Sequence, residues 1–127
     1  MSHRSRLSGF IIDCETGDMR SAATFWGQAL GLRVGEHEVE GGAEYVGLQD
    51  TPMGLHAALQ KVSHPSRIHL DIEADDQDAE AVRLEALGAR RIGWVKRWWV
   101  MEAPTGHRFC IVKMNNPDQG PPPTVWG

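Results

Sequence analysis

The feature that most constrains this chain is an internal repeat of about 55 residues. IIDCETGD at 11–18 lies over HLDIEADD at 69–76, sharing Asp13 with Asp71, Glu15 with Glu73 and Asp18 with Asp76. AATFWGQALG at 22–31 lies over AEAVRLEALG at 79–88, with alanines at 22/79 and 29/86 and a closing Leu-Gly. TPMGLHAALQK at 51–61 lies over APTGHRFCIVK at 103–113, sharing Pro, Gly and Lys. Three matches in one order define two copies of a single structural unit.

The pattern within each copy says what the unit is. Phe10, Ile12 and Cys14 alternate with Ile11, Asp13 and Glu15, the period-two signature of a strand. Asp18 is placed to cap a helix whose apolar stripe is Ala22, Phe25, Trp26, Ala29 and Leu30, and Gly31 fits just past its end. Burial of Phe25 and Trp26 is expected to anchor this half. Strands are predicted at 32–39, 44–50 and 55–62. After the linker Ser63-His64-Pro65-Ser66 the series restarts. Ile68, Leu70 and Ile72 alternate with His69, Asp71 and Glu73; a helix is predicted over 76–87, stopped at Gly88. Strands follow at 90–95, 98–103 and 107–113. Each copy is therefore a βαβββ module. The expected layout is one domain over 1–127: module one at about 7–62, a linker at 63–66, module two at about 67–114 and a Pro-rich tail at 115–127. Residues 1–8 read as a polar lead-in, and the tail as an extended segment lying on the surface or reaching a partner.

Bulk properties exclude several functions. The chain has 127 residues and a formal net charge of -4, which opposes binding to nucleic acid or an anionic membrane. RRIGWVKRWW at 90–99 mixes basic and aromatic residues, but reads as a twisted edge strand with snorkelling Arg and Lys. No apolar run approaches the ~20 residues that span a bilayer, and MSHRSRLSGF lacks the apolar core of a signal peptide. Cys14 and Cys110 have neither disulfide-framework nor metal-cluster spacing. The expectation is a cytoplasmic protein with reduced thiols.

FIIDCETGDMRSAATFWGQALGL, RIHLDIEADDQDAEAVRLEALGA and WWVMEAPTGHRFCIVK together resemble the vicinal oxygen chelate superfamily, in its glyoxalase-like branch. The resemblance covers nearly the whole chain apart from its ends. It implies an α+β fold in which two tandem βαβββ modules curl mixed sheets into a cup, with the helices outside. It also implies a homodimer, and a cup that often holds a divalent metal ligated from the first and last strand of each module. The repeat places those four positions at Ile11, Ala58, His69 and Cys110. Ile11 and Ala58 offer no donor atom, so no cofactor and no tightly bound metal are expected. The one alternative is a site of His56, His69 and Cys110, since His56 shares a strand face with Ala58.

Strand parity then selects the cup lining. From module one it takes Ile11, Asp13, Glu15, Gly47, Gln49, His56, Ala58 and Gln60. Module two adds His69, Asp71, Glu73, Trp99, Met101, Arg108 and Cys110. A concave site mixing aromatic, thioether and convergent polar groups suits a small organic ligand. The ligand-binding candidates are Gln49, His56, Gln60, His69, Trp99, Met101, Arg108 and Cys110. His69, Asp71 and Asp13 are the candidates for acid–base chemistry. Two functions remain: a metal-independent small-molecule binder, similar to drug-sequestering resistance proteins, or a lyase- or isomerase-like enzyme using His69 with Asp13, Asp71 or Cys110. Glyoxalase I activity itself is not expected, because it needs the metal that this quartet cannot hold.

Overall fold

The structure is a computed structural model that describes residues 2–127. It is α+β, and the order of elements is that of two βαβββ modules. The first contains β1 (His3–Cys14), α1 (Met19–Leu30), β2 (Arg33–Glu40), β3 (Ala43–Gln49) and β4 (His56–Lys61). The second contains β5 (Arg67–Ala74), α2 (Gln77–Ala86), β6 (Arg90–Val95), β7 (Trp98–Glu102) and β8 (Arg108–Lys113), and the tail adds β9 (Thr124–Trp126). The chain divides into two compact units: Phe10–Ile68, and His69–Gly127 together with the residues up to Gly9. Among the described residues no helix is long and apolar enough to cross a membrane.

In the first unit the strand order is β2-β3-β4-β1, with α1 against one face. Asp18 caps α1, accepting from the Ser21 backbone N–H at 3.2 Å and from the Ser21 hydroxyl at 2.7 Å. Gly31 ends the helix in the left-handed region at φ 69°, where it donates its backbone N–H to the Gly27 carbonyl. The face that α1 buries keeps Ala22 and Trp26 of the expected stripe, which pack against the core, but leaves out Phe25 and Leu30. Met19, Ala23 and Gly27 are buried, while Phe25 is 61% exposed, stacked edge-on against Trp26. Small residues win the inner face because α1 sits close to the sheet. A Cβ on Gly27 would lie 2.8 Å from Val34 Cγ2 and 3.0 Å from the Leu32 carbonyl oxygen. The core beneath is Ile12, Cys14, Val46, Leu48, Ala57 and Leu59.

In the second unit the order is β1-β5-β8-β7-β6, with β9 on β1. β5 and β8 run parallel, while β6–β7 and β7–β8 are antiparallel. Asp76 caps α2 through the Ala79 backbone N–H at 2.9 Å. The core here is Ala74, Ala81, Met101 and Ile111, flanked by Leu84, Ala89, Trp99 and Phe109. The 90–99 segment forms β6 and its turn into β7. Arg91 lies over the Trp99 ring at 4.7 Å and Lys96 over Trp98 at 5.9 Å, so the cations cover aromatic faces.

One expectation about the ends is corrected and the other made specific. The predicted lead-in is the start of β1, which begins at His3. Its polar residues concealed it, because they point inward. His3 Nε2 meets Glu80 Oε1 at 2.7 Å, and Glu80 is fully buried on α2. Arg83 holds the same carboxylate in a fork at 2.7 and 2.8 Å. The tail, in turn, folds back onto its own unit. Thr124–Trp126 pairs antiparallel with His3–Ser5. Trp126 donates its indole N–H to the Ser5 hydroxyl at 2.8 Å and stacks under the Arg83 guanidinium at 3.8 Å. Arg6 fastens the intervening segment by donating to the backbone carbonyls of Asn116, Pro117, Gln119 and Pro121, while its Nε pairs with Glu73 at 2.9 Å. A Pro-rich segment cannot form a regular ladder, so a single guanidinium with five donors collects its carbonyls instead.

Candidate functional site

The parallel register of β5 and β8 sets Asp71 beside Cys110. Side chains two residues apart on a strand share a face, so His69 joins Asp71 and Arg108 joins Cys110. The opposite face carries Ile72, Ala74, Phe109 and Ile111 towards α2. The result is a titratable cluster on one side of a sheet whose other side is core. One donor atom each from His69, Asp71 and Cys110 lie within 4.8 Å of one another. His69 Nε2 stands 3.6 Å from Asp71 Oδ1. Asp71 is 7% and Cys110 9% exposed. Next along β8, Arg108 Nε lies 3.3 Å from Glu102 Oε2, and Arg90 approaches the same carboxylate at 2.6 Å. The Arg90 hydrogen bond, ahead of the Arg108 one, holds the Glu102 carboxyl below its ordinary range.

Trp99 and Met101 were expected on this face and are not on it. Met101 pairs with Phe109 and Trp99 with Ile111, which puts both on the α2 side. Met101 is fully buried, and the Trp99 indole N–H donates to Asp78 Oδ1 on α2 at 2.8 Å. The residues of β7 that share the Cys110 face are Val100 and Glu102. Both parities of this strand are apolar over Trp98–Met101, so alternation by itself could not choose between them.

In the first unit the expected parity is the observed one. Ile12, Cys14, Val46, Leu48, Ala57 and Leu59 face α1. Ile11, Asp13, Gly47, Gln49, His56, Ala58 and Gln60 occupy the other side by alternation, and the register sets Gly47 against Ala58. Tyr45, which sequence reasoning passed over, belongs to this set. It pairs with Gln60 and accepts the Gln60 side-chain N–H at 3.5 Å through its hydroxyl. Asp13 is 3% exposed and stands 3.8 Å from Arg67 Nε. His56 is exposed at the start of β4. Cys14 packs in the core, and burial, followed by the nearby Asp13 charge, pushes its thiol pKa up. That makes it a poor nucleophile.

The sequence foresaw His69 and Cys110 as donors but assigned Asp71 an acid–base role only. The missed signal is the His-x-Asp spacing within a strand, which puts imidazole and carboxylate side by side on one face.

A family model described as a glyoxalase-like domain matches residues 9–112. No curated protein matches the chain. Among solved structures, a hypothetical protein of Bacillus halodurans C-125 is similar at 12% identity, covering 88% of this chain and 96% of that one, with a TM-score of 0.66. A methylmalonyl-CoA epimerase in complex with methylmalonyl-CoA is similar at 19% identity, covering 93% and 99%, with a TM-score of 0.62. The methylmalonyl-CoA epimerase of Mycobacterium tuberculosis is similar at 16% identity, covering 87% and 90%, with a TM-score of 0.62. At these identities the likeness is one of fold.

Proposed function

Because the chain belongs to the glyoxalase-like domain family of the vicinal oxygen chelate superfamily, we propose that it binds a small organic molecule against the sheet face bearing His69, Asp71 and Cys110. The observation that carries this reading is the convergence of three donor atoms within 4.8 Å on a face backed by core. Arg108 lies next along β8 and supplies a guanidinium suited to a carboxylate or phosphate on the ligand. A homodimer is part of the same reading.

The ligand quartet of metal-dependent relatives does not fit this chain. Two of its four positions are Ile11 and Ala58, which have no donor, and no step is derived through such a centre.

A second reading has one observation in its favour. His69 Nε2 stands 3.6 Å from Asp71 Oδ1, which sets an imidazole beside a carboxylate on one face, two groups that acid–base chemistry uses. In that case the chain is a lyase- or isomerase-like enzyme that moves a proton next to a ligand carbonyl, using His69 with Asp71 or Cys110. Methylmalonyl-CoA epimerases have the same fold, which is consistent with this chemistry.

The test is a thermal-shift screen with small carboxylates, α-keto compounds, acyl thioesters and aromatic natural products. At least one class should raise Tm, and His69→Ala should weaken its binding about tenfold or more. A screen in which nothing raises Tm, or binding that survives His69→Ala unchanged, defeats the reading.

A further inference from the structure

We propose that the small molecule on this sheet face is a singly charged carboxylic acid with an apolar body, its carboxylate held by Arg108 and its body lying over Val100 and Gly93. The inference rests on the binding reading above; it names the ligand class and the residues that select it. Its first support is register within the second unit. Glu102 pairs with Arg108 on one side and with Arg90 on the other, so Arg108, Glu102 and Arg90 form one row across β8, β7 and β6. The next row runs from β5 to β6 as Asp71, Cys110, Val100 and Gly93. Paired residues share a face, so both rows lie on the side away from α2. The first row is charged, and the second turns apolar beyond Asp71. It ends in open space: among the described residues, a Cβ built on Gly93 meets no atom within 4 Å. Gly93 follows the bulge at 91–93, but its φ is outside the left-handed region, so the backbone there accepts any side chain. What glycine supplies at this position is room.

The second support is charge. Arg90 approaches the Glu102 carboxylate at 2.6 Å and Arg108 approaches it at 3.3 Å. Two guanidinium groups share one carboxylate, which leaves one positive charge over in the row. A ligand carboxylate neutralises that charge. A phosphate dianion overfills it, with Asp71 in the adjoining row to repel the excess. The shorter contact makes Arg90 the main partner of Glu102, so Glu102 stays satisfied when Arg108 turns to the ligand. Arg108 meets Glu102 through Nε, whereas a ligand carboxylate forks onto the two terminal nitrogens, so one guanidinium can hold both. The Arg108 side chain keeps 35% of its surface exposed, enough for a ligand to reach it. Arg90 and Glu102 are thus positioning residues that set Arg108 without touching the ligand. Gly93 sets how bulky the apolar body can be.

The experiment is calorimetry on the full chain with phenylacetate, its primary amide, phenyl phosphate and butyrate. Phenylacetate should bind at least about tenfold more tightly than the amide, and more tightly than phenyl phosphate. Arg108→Met should erase the preference for acid over amide. Arg90→Met should weaken phenylacetate severalfold, because Glu102 then draws Arg108 to itself. Arg90→Lys should preserve binding, and adding Glu102→Gln to Arg90→Met should restore it, a rescue that a merely structural role for Arg90 does not give. Gly93→Val should lower the ratio of phenylacetate to butyrate affinity at least about fivefold. Gly93→Ala should move that ratio the same way, and serves if the valine variant does not fold. Equal affinity for acid and amide, a preference for phenyl phosphate, an acid preference that survives Arg108→Met, or a ratio unmoved by the folded glycine variants overturns the proposal. The two failures are distinguishable. If neither acid binds while a neutral compound raises Tm in a His69-dependent way, the carboxylate class falls and the binding reading stands. If no compound of any class binds, the binding reading itself falls.

Discussion

The two units bury opposite things at equivalent positions. On the helices, Ala23 of α1 corresponds to Glu80 of α2, and Trp26 to Arg83. Ala23 is 2% exposed and packs against an aliphatic core, whereas Glu80 is fully buried and held by Arg83 and His3. On the opposite sheet faces the contrast recurs. Ile11 and Ala58 stand where His69 and Cys110 stand in the other unit. One βαβββ scaffold therefore tolerates either an apolar or an ionic filling, provided that every buried charge finds its partner. Some equivalent sites did not diverge. Phe25 and Val82 are both exposed, 61% and 59%, and Asp18 and Asp76 both cap their helices.

The sharpest way to break this comparison is Glu80→Ala, which gives α2 the residue that α1 uses. It removes a carboxylate that satisfies Arg83 and His3, leaving the Arg83 guanidinium without its counter-charge and the His3 ring nitrogen without its hydrogen bond. Stability should fall by about 3 kcal/mol, read as a lower urea midpoint at unchanged slope. A loss under ~1 kcal/mol would mean that the ionic filling is incidental. Gly27→Ala probes the apolar side. Helix propensity favours alanine by about 1 kcal/mol, but the new Cβ meets the Val34 methyl and the Leu32 carbonyl. The clash should prevail, with a net loss of roughly 1–2 kcal/mol in the same measurement. A stabilised variant would show that α1 can lift off its sheet without cost.

The smallest expected effect concerns pH. Burial pushes the Glu80 carboxyl up, but hydrogen bonds from Arg83, then His3, then Ser5 outweigh it. The net position lies below the ordinary value of 4.5. A carboxyl with a depressed folded pKa adds stability above its unfolded pKa and loses it as the pH falls through the folded one. Stability should therefore decline on acidification below about pH 4.5, and Glu80→Gln should flatten that decline. Identical acid limbs for the two proteins would place the acid-sensitive groups elsewhere.

Much of the fold could be read directly from residues. Period-two alternation located β5, capping aspartates and closing glycines bounded both helices, and the repeat supplied the module. Alternation became silent where both parities are apolar, which is why Trp99 and Met101 were assigned to the wrong face. It misled where polar residues point inward, which is why His3 and Ser5 read as a lead-in rather than as strand. The site was half legible. His69 and Cys110 stood out through the repeat, but the partnership of Asp71 with Cys110 depends on register between strands nearly forty residues apart.

What the sequence by itself determined is local: element type, helix ends, the doubled module and the membership of most strand faces. These follow from backbone sterics and from apolar periodicity, which act over a few residues. Tertiary structure alone decided which polar residues are buried, because burial of a charge depends on a partner the chain brings from far away. Glu80 is inside because His3 and Arg83 meet it there, and the tail is docked because Arg6 collects its carbonyls. Asp71 becomes part of a donor cluster only because a parallel strand pair sets Cys110 at its side.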